Sequence, residues 1–156
     1  MHVVLYQPEI PANTGNIARL CAVTDCHLHL IRPLGFFLDD RRMRRAGLDY
    51  WHQLRITIHD SWEDFAGRDL SQAFFVETGS SRRYTDADFG PNPILVLGSE
   101  TAGLPDSVLS AYPDRHISLP MIGTRSLNLA NTAAIVVYEV WRQQGFPGAE
   151  TERRMV

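Results

Sequence analysis

Lysine is absent from the 156 residues; all fifteen basic side chains are arginine. Schiff-base chemistry and the phosphate-loop lysine are therefore excluded. Arginine keeps its charge and offers a planar fork of donors, so bidentate contact with phosphate stays open, although a compositional bias of the genome explains the same count. Cysteine is scarce as well. Cys21 and Cys26 stand five apart without further ligand spacing, which argues against a disulfide framework or a zinc site. The histidines at 2, 27, 29, 52, 59 and 116 form no H-E-x-x-H pattern, and no metal is expected. There is no Gly-x-Ser-x-Gly elbow to anchor a hydrolase triad. Nor is there an excess of positive charge: the formal net charge is -3, which excludes coating nucleic acid by bulk charge but allows a local basic patch. No apolar window reaches membrane-spanning length, and Met1 to Tyr6 enters a strand pattern without a basic leader, so the expected location is the cytoplasm.

What is present suits one folded domain. The apolar fraction is 44% and the charged fraction 21%, and the length is enough for one sizeable core. Short apolar runs at His2 to Tyr6, His27 to Ile31, Leu54 to Ile58, Ala73 to Val76, Ile94 to Leu97 and Ile117 to Leu119 read as strands. Helical patterns lie between them. Asn13 or Thr14 is placed to cap a helix reaching Thr24, Ser61 starts a short one, Pro105-Asp106 opens another to about Tyr112, and Ser126 caps the longest, which ends near Gln144. This alternation predicts an α/β fold, a mostly parallel sheet with helices on both faces, spanning 1–156 as a single domain. Ligands of such sheets bind at the carboxyl ends of strands.

Three polar loops leave predicted strand ends. The first, Asn13 to Arg19, is explained by capping and packing, or by helix-start amides meeting an anion with Arg19 adding a fixed charge. In the second, Leu97 to Pro105, Gly98 and Gly103 are five apart and match neither the dinucleotide fingerprint nor the phosphate loop. A plain strand-to-helix turn accounts for it, or else its glycines admit a ligand to the backbone. Glu100 in this loop requires a partner if it is buried. The third, Leu119 to Asn131, places Asn128 and Asn131 in the first turns of a helix, at a cost in propensity that favours a ligand or an inter-loop network over capping alone. Separately, Arg41, Arg42, Arg44 and Arg45 form a basic cluster beside Asp39-Asp40. It is either solvated surface or the segment laid against an RNA backbone.

Taken in order, Asn13-x-Gly15-Asn16-x-x-Arg19, Leu97-Gly98-Ser99-Glu100-x-x-Gly103-Leu104-Pro105, and Leu119-Pro120-Met121 through Arg125-Ser126-Leu127-Asn128-Leu129-Ala130 resemble the three motifs of the SPOUT RNA 2'-O-ribose methyltransferases. Leu5-Tyr6-x-Pro8-Glu9-Ile10-Pro11, Arg44 to Tyr50 and Tyr138-Glu139-x-Trp141-Arg142 bring the resemblance nearest to the branch acting on nucleotide 34 of tRNA.

The resemblance implies a carboxyl-terminal trefoil knot, bent S-adenosylmethionine as methyl donor, a homodimer, and a tRNA anticodon loop as partner. It implies that Val76, Gly98, Leu119 and Ser126 hold the donor. Asn13, Arg19, Glu100, Arg125 and Asn128 would line the reaction side, with Tyr138 near the site or the subunit interface. The implied reaction moves a methyl group to the ribose 2'-oxygen of a wobble cytidine or modified uridine. Arg19 is then better suited to stabilising an oxyanion and aligning phosphate than to acting as a base, and Glu100 is better suited to organising its loop. Methylation of another tRNA position or of ribosomal RNA, a non-catalytic knotted RNA binder, and a small-molecule enzyme using Cys21 or Glu100 are the alternatives. The loop Ile122 to Thr124 is shorter than in some relatives, which bears on substrate discrimination.

Overall fold

The computed structural model describes residues 1–37, 54–123 and 125–150. Its strands are β1 (His2–Tyr6), β2 (His27–Ile31), β3 (Ile56–His59), β4 (Ala73–Val76), β5 (Ile94–Leu97) and β6 (His116–Ile117). They form one sheet in the order β3-β2-β1-β5-β4-β6, with every neighbouring pair parallel. β1 lies inside the sheet, with His2 opposite both His27 and Ile94, and its Val3, Val4 and Leu5 are fully buried.

Strand side chains alternate between faces, and each face has its own helical cover. Val3, Leu5, Leu28, Leu30, Leu95 and Leu97 meet α1 (Pro11–Thr24) through Ile17 and Cys21, and α4 (Leu129–Gln143) through Ala133, Val136, Val137 and Val140. On the opposite face, Val4, Phe75 and Val96 pack with Phe65 of α2 (Trp62–Ala66) and Val108 of α3 (Asp106–Leu109). The expected α/β architecture is therefore the one observed. No helix among the described residues is long and apolar enough to cross a membrane.

Several boundaries differ from those expected of the sequence. α1 starts at Pro11, and Ile10 occupies the cap position without a side-chain bond, so neither Asn13 nor Thr14 is the cap. Proline suits this first turn because its missing N–H would lack a helical partner there anyway. Ser126 does not cap the last helix. Asn128 does, its Oδ1 accepting from the N–H groups of Ala130 (2.9 Å) and Asn131 (3.2 Å), as suits a residue that caps as well as serine. α3 stops at Leu109 instead of Tyr112, and a separate 3-10 turn, Pro113–Arg115, follows. Pro113 disfavours helical backbone in the residue before it. β3 ends one residue later than expected and β6 is shorter. The Ser61 cap stands, with Oγ accepting from the Asp64 N–H at 3.2 Å.

Candidate functional site

Because the strands are parallel, β4, β5 and β6 all release their following loops at one edge of the sheet. A cavity of about 330 Å³ opens there, within the size range of small-molecule sites. Val76, Leu97, Leu119 and Leu129 give it apolar walls, and Glu77, Thr78, Ser99 and Glu100 give it polar ones. All four residues expected to hold a donor, Val76, Gly98, Leu119 and Ser126, line it. Its lining contains two carboxylates and, among the described residues, no basic side chain. Such a cavity repels phosphate and favours a ligand carrying positive charge.

The three loops are tied to one another by a single hydrogen-bonded chain. The Glu100 carboxylate accepts from the main-chain N–H groups of Glu9 (2.7 Å) and Ile10 (3.1 Å) and from Nδ2 of Asn13 (3.0 Å). Oδ1 of Asn13 accepts from Nδ2 of Asn128 (2.9 Å). Asn128 then caps α4, so the starts of the two helices are joined directly through Asn13 and Asn128, and Glu100 ties the β5 loop to the same pair. The Glu100 carboxylate thus sits at the main chain that leads into α1, near the end where the helix dipole favours negative charge. Thr101 Oγ1 donates to Glu9 Oε2 at 2.5 Å and closes the same corner.

Gly98 also permits a close approach within its own loop. A Cβ there would lie 2.1 Å from the Gly103 carbonyl carbon and 2.3 Å from Leu104 N, because Ser99 and Gly103 pair main chain to main chain across a tight turn. The close approach is within the loop, and Gly103, at φ +70, is in the left-handed region that glycine tolerates.

Arg19, Arg125 and Tyr138 stand outside the cavity lining. Arg19 is exposed on α1, six residues beyond Asn13, or about 9 Å along the helix. Arg125 borders the neighbouring concavity with Tyr84, Met121 and Ile122. Tyr138 is 47% exposed on α4 and packs edge-on against Trp141. Arg41, Arg42, Arg44 and Arg45 lie outside the described residues. Cys21, the thiol alternative, is buried against α4 and away from this cavity. Its hydrogen bond to Cys26 and its burial push its pKa up, which removes the thiolate a nucleophile needs. Glu77 and Thr78 were not among the residues expected at the site. Thr78 donates to Glu77 Oε1 through its N–H at 2.9 Å, and the only available signal was their position directly after a buried strand.

Comparison with known proteins agrees with this geometry. The model of the SpoU rRNA Methylase family matches residues 1–138. The tRNA (cytidine(34)-2'-O)-methyltransferase of Burkholderia ambifaria is 51% identical over 152 residues, covering 94% of this chain and 97% of its own. A crystal structure from Bacillus anthracis superposes with a TM-score of 0.90 at 49% identity, over 97% of this chain and 99% of that one. A structure from work on 2'-OH methylation of C/U34 on tRNA gives 0.84 at 41% identity, over 92% and 95%. The chain belongs to the SpoU rRNA Methylase family.

Proposed function

We propose that the protein methylates the ribose 2'-hydroxyl of nucleotide 34 of tRNA, a cytidine or modified uridine, with S-adenosylmethionine as donor. The observation that carries this reading is the cavity at the sheet edge, where carboxylates without basic neighbours suit a sulfonium-bearing nucleoside. A relative of 51% identity named for this reaction, and a structure of 41% identity from work on it, support the substrate.

Val76, Gly98, Leu119 and Ser126 would hold the donor chiefly by main-chain groups, and Glu77 has carboxylate oxygen to offer ribose hydroxyls. When bound, S-adenosylmethionine supplies a methyl group made electrophilic by its sulfonium. The 2'-oxygen would take this methyl group, S-adenosylhomocysteine would leave, and the hydroxyl proton would pass to solvent. A hydroxyl is a poor nucleophile at neutral pH, so the site must stabilise oxyanion character and align the oxygen. Arg125, exposed at the neighbouring concavity, and Arg19, exposed on α1, are assigned that task and the capture of the adjoining phosphate. Asn13, Glu100 and Asn128 hold the rim in place. Nucleotide 34 lies in a single-stranded loop, where no duplex must be opened.

A homodimer is part of the reading. Val23 of α1 and Ile135 and Tyr138 of α4 expose apolar surface on neighbouring helices, which pairing would cover and which gives Tyr138 a place at the interface. Residues 1–156 act as a single domain in the cytoplasm.

The test is methyl transfer from labelled S-adenosylmethionine to tRNA and to ribosomal RNA, followed by nucleoside mass spectrometry. Label confined to the 2'-oxygen at position 34 is expected. Label on ribosomal RNA alone, the substrate in the family's name, would overturn the substrate, and RNA binding without turnover would overturn the enzyme.

A further inference from the structure

Parallel pairing of β1, β2 and β3 gathers four histidines on the sheet face that α2 covers. His2 sits opposite His27, and His29 is two residues along β2 on the same side. His59, on β3, stands opposite Ile31, two residues beyond the Thr57 that pairs with His29. The rings of His27 and His29 stack at 4.1 Å between centroids, and Phe65 of α2 meets both His29 and His59 edge-on. Two direct imidazole contacts run through the cluster. Nδ1 of His2 is 2.9 Å from Nε2 of His29, and Nδ1 of His29 is 3.0 Å from Nε2 of His59. One ring nitrogen from each of His2, His27 and His29 lies within 4.8 Å of the others.

We propose that His2, His27 and His29 form a binding site for a divalent transition cation of zinc's class. Two imidazole nitrogens on one tetrahedral zinc ion are about 3.3 Å apart, given zinc–nitrogen bonds near 2.0 to 2.1 Å. The His2–His29 separation is already close to that, so the ion takes the position of the proton the pair shares. The surrounding hydrogen bonds suit ligation. His29, protonated on Nδ1, donates to His59 and keeps its Nε2 lone pair. His27, protonated on Nε2, donates to Thr57 Oγ1 at 2.8 Å and keeps its Nδ1 lone pair. Such outer partners set the tautomer of metal-bound histidine. Only His2 must move its proton, from Nδ1 to Nε2, and it is half-buried with access to solvent. Water completes the coordination.

Burial and neighbouring positive charge keep the imidazoles neutral, with His2 lowered to about 4 and His29 to about 3. The charged groups acting on the cluster are Arg55, Arg68 and the terminal amine, with Asp64 beside His59. The three positive charges weaken cation binding relative to a thiolate site. His2 and His27 stand at the amino ends of their strands, at the opposite end of the sheet from the methyl-donor cavity. The ion would therefore fasten β1 to β2 and take no part in transfer.

The test titrates the tag-free full-length chain, stripped with a chelator, with Zn²⁺ by calorimetry and with Co²⁺ by visible absorption. One ion per chain, tetrahedral Co²⁺ bands and a Zn²⁺-dependent rise in Tm are expected. His2→Gln and His27→Gln, both at partly exposed positions, should each lose the ion while the metal-free variants stay folded by circular dichroism. His59→Ala, which removes the group orienting His29, should weaken binding by about 10- to 100-fold. Absence of saturable binding, equal binding in both glutamine variants, or a Co²⁺–thiolate charge-transfer band implicating Cys21 and Cys26 would overturn the site.

Discussion

Every partner that meets the Glu100 side chain across the loops is a donor: two main-chain N–H groups and one asparagine NH2. An ionised carboxylate only accepts, so it satisfies all three, whereas a glutamine presents its own NH2 toward one of them. Glu100→Gln should therefore lower the Tm by roughly 4 to 8 °C. This takes a loss of about 2 kcal/mol for charge-assisted bonds and the usual 2 to 4 °C per kcal/mol for a chain of this size. The loosened rim should also reduce kcat/KM, on the order of 10²-fold. Scanning calorimetry and single-turnover assays on tRNA check both, and an unchanged Tm would show that the network contributes nothing to stability. At Gly98, alanine puts its Cβ 2.1 Å from the Gly103 main chain, which no rotamer relieves. Gly98→Ala should abolish the rise in Tm that S-adenosylmethionine gives the wild type, about 2.7 kcal/mol of stabilisation at one hundred times Kd. A wild-type-like thermal shift would count against the cavity as the donor site.

At the scale of elements, α4 separates two uses of one side chain. Oδ1 of Asn128 caps the helix, while its Nδ2 holds Asn13. Asn128→Ser keeps a cap but cannot reach Asn13, and Asn128→Ala loses both. Alanine should cost about 1 kcal/mol more than serine in urea unfolding, yet the two should lose methyl transfer alike, since activity depends on the bridge. If serine retained full activity, the bridge would be idle. The sequence made this element legible only in part. The apolar spacing of Ala133, Val136, Val137 and Val140 located the helix, and the two asparagines, read as lying inside it, pointed to a ligand or an inter-loop network over capping, whereas Asn128 is both cap and bridge. The start was misplaced at Ser126 because serine and asparagine cap equally well, and what selects between them is Asn13, 115 residues away in sequence. Asn13 itself read as a cap for the same reason: its true partner, Glu100, arrives from another loop. The histidine cluster left no linear signature, because His2 and His27 meet through strand register and a search by spacing along the chain does not detect register.

Over the whole molecule, charge is divided between surfaces. The net charge is -3 and, among the described residues, the charged side chains lining the cavity proposed for the donor are carboxylates, so affinity for an RNA backbone has to come from arginines elsewhere. Arg41, Arg42, Arg44 and Arg45 are the densest such group in the sequence. If they meet phosphates, changing all four to glutamine should weaken tRNA binding most at low salt. The slope of log K against log salt should become shallower by about 0.7 for each phosphate no longer neutralised, the value for single-stranded RNA. The effect should be nearly the same for tRNAs of different anticodon, since phosphate contacts carry no sequence information. Binding of S-adenosylmethionine should not change, because screening at physiological salt confines the influence of exposed charges to about 8 Å. Filter binding over a salt series, beside calorimetry of the donor, reads the two effects separately. Parallel salt slopes for wild type and variant would move the RNA surface elsewhere, with Arg19 and Arg125 as the next positions to substitute.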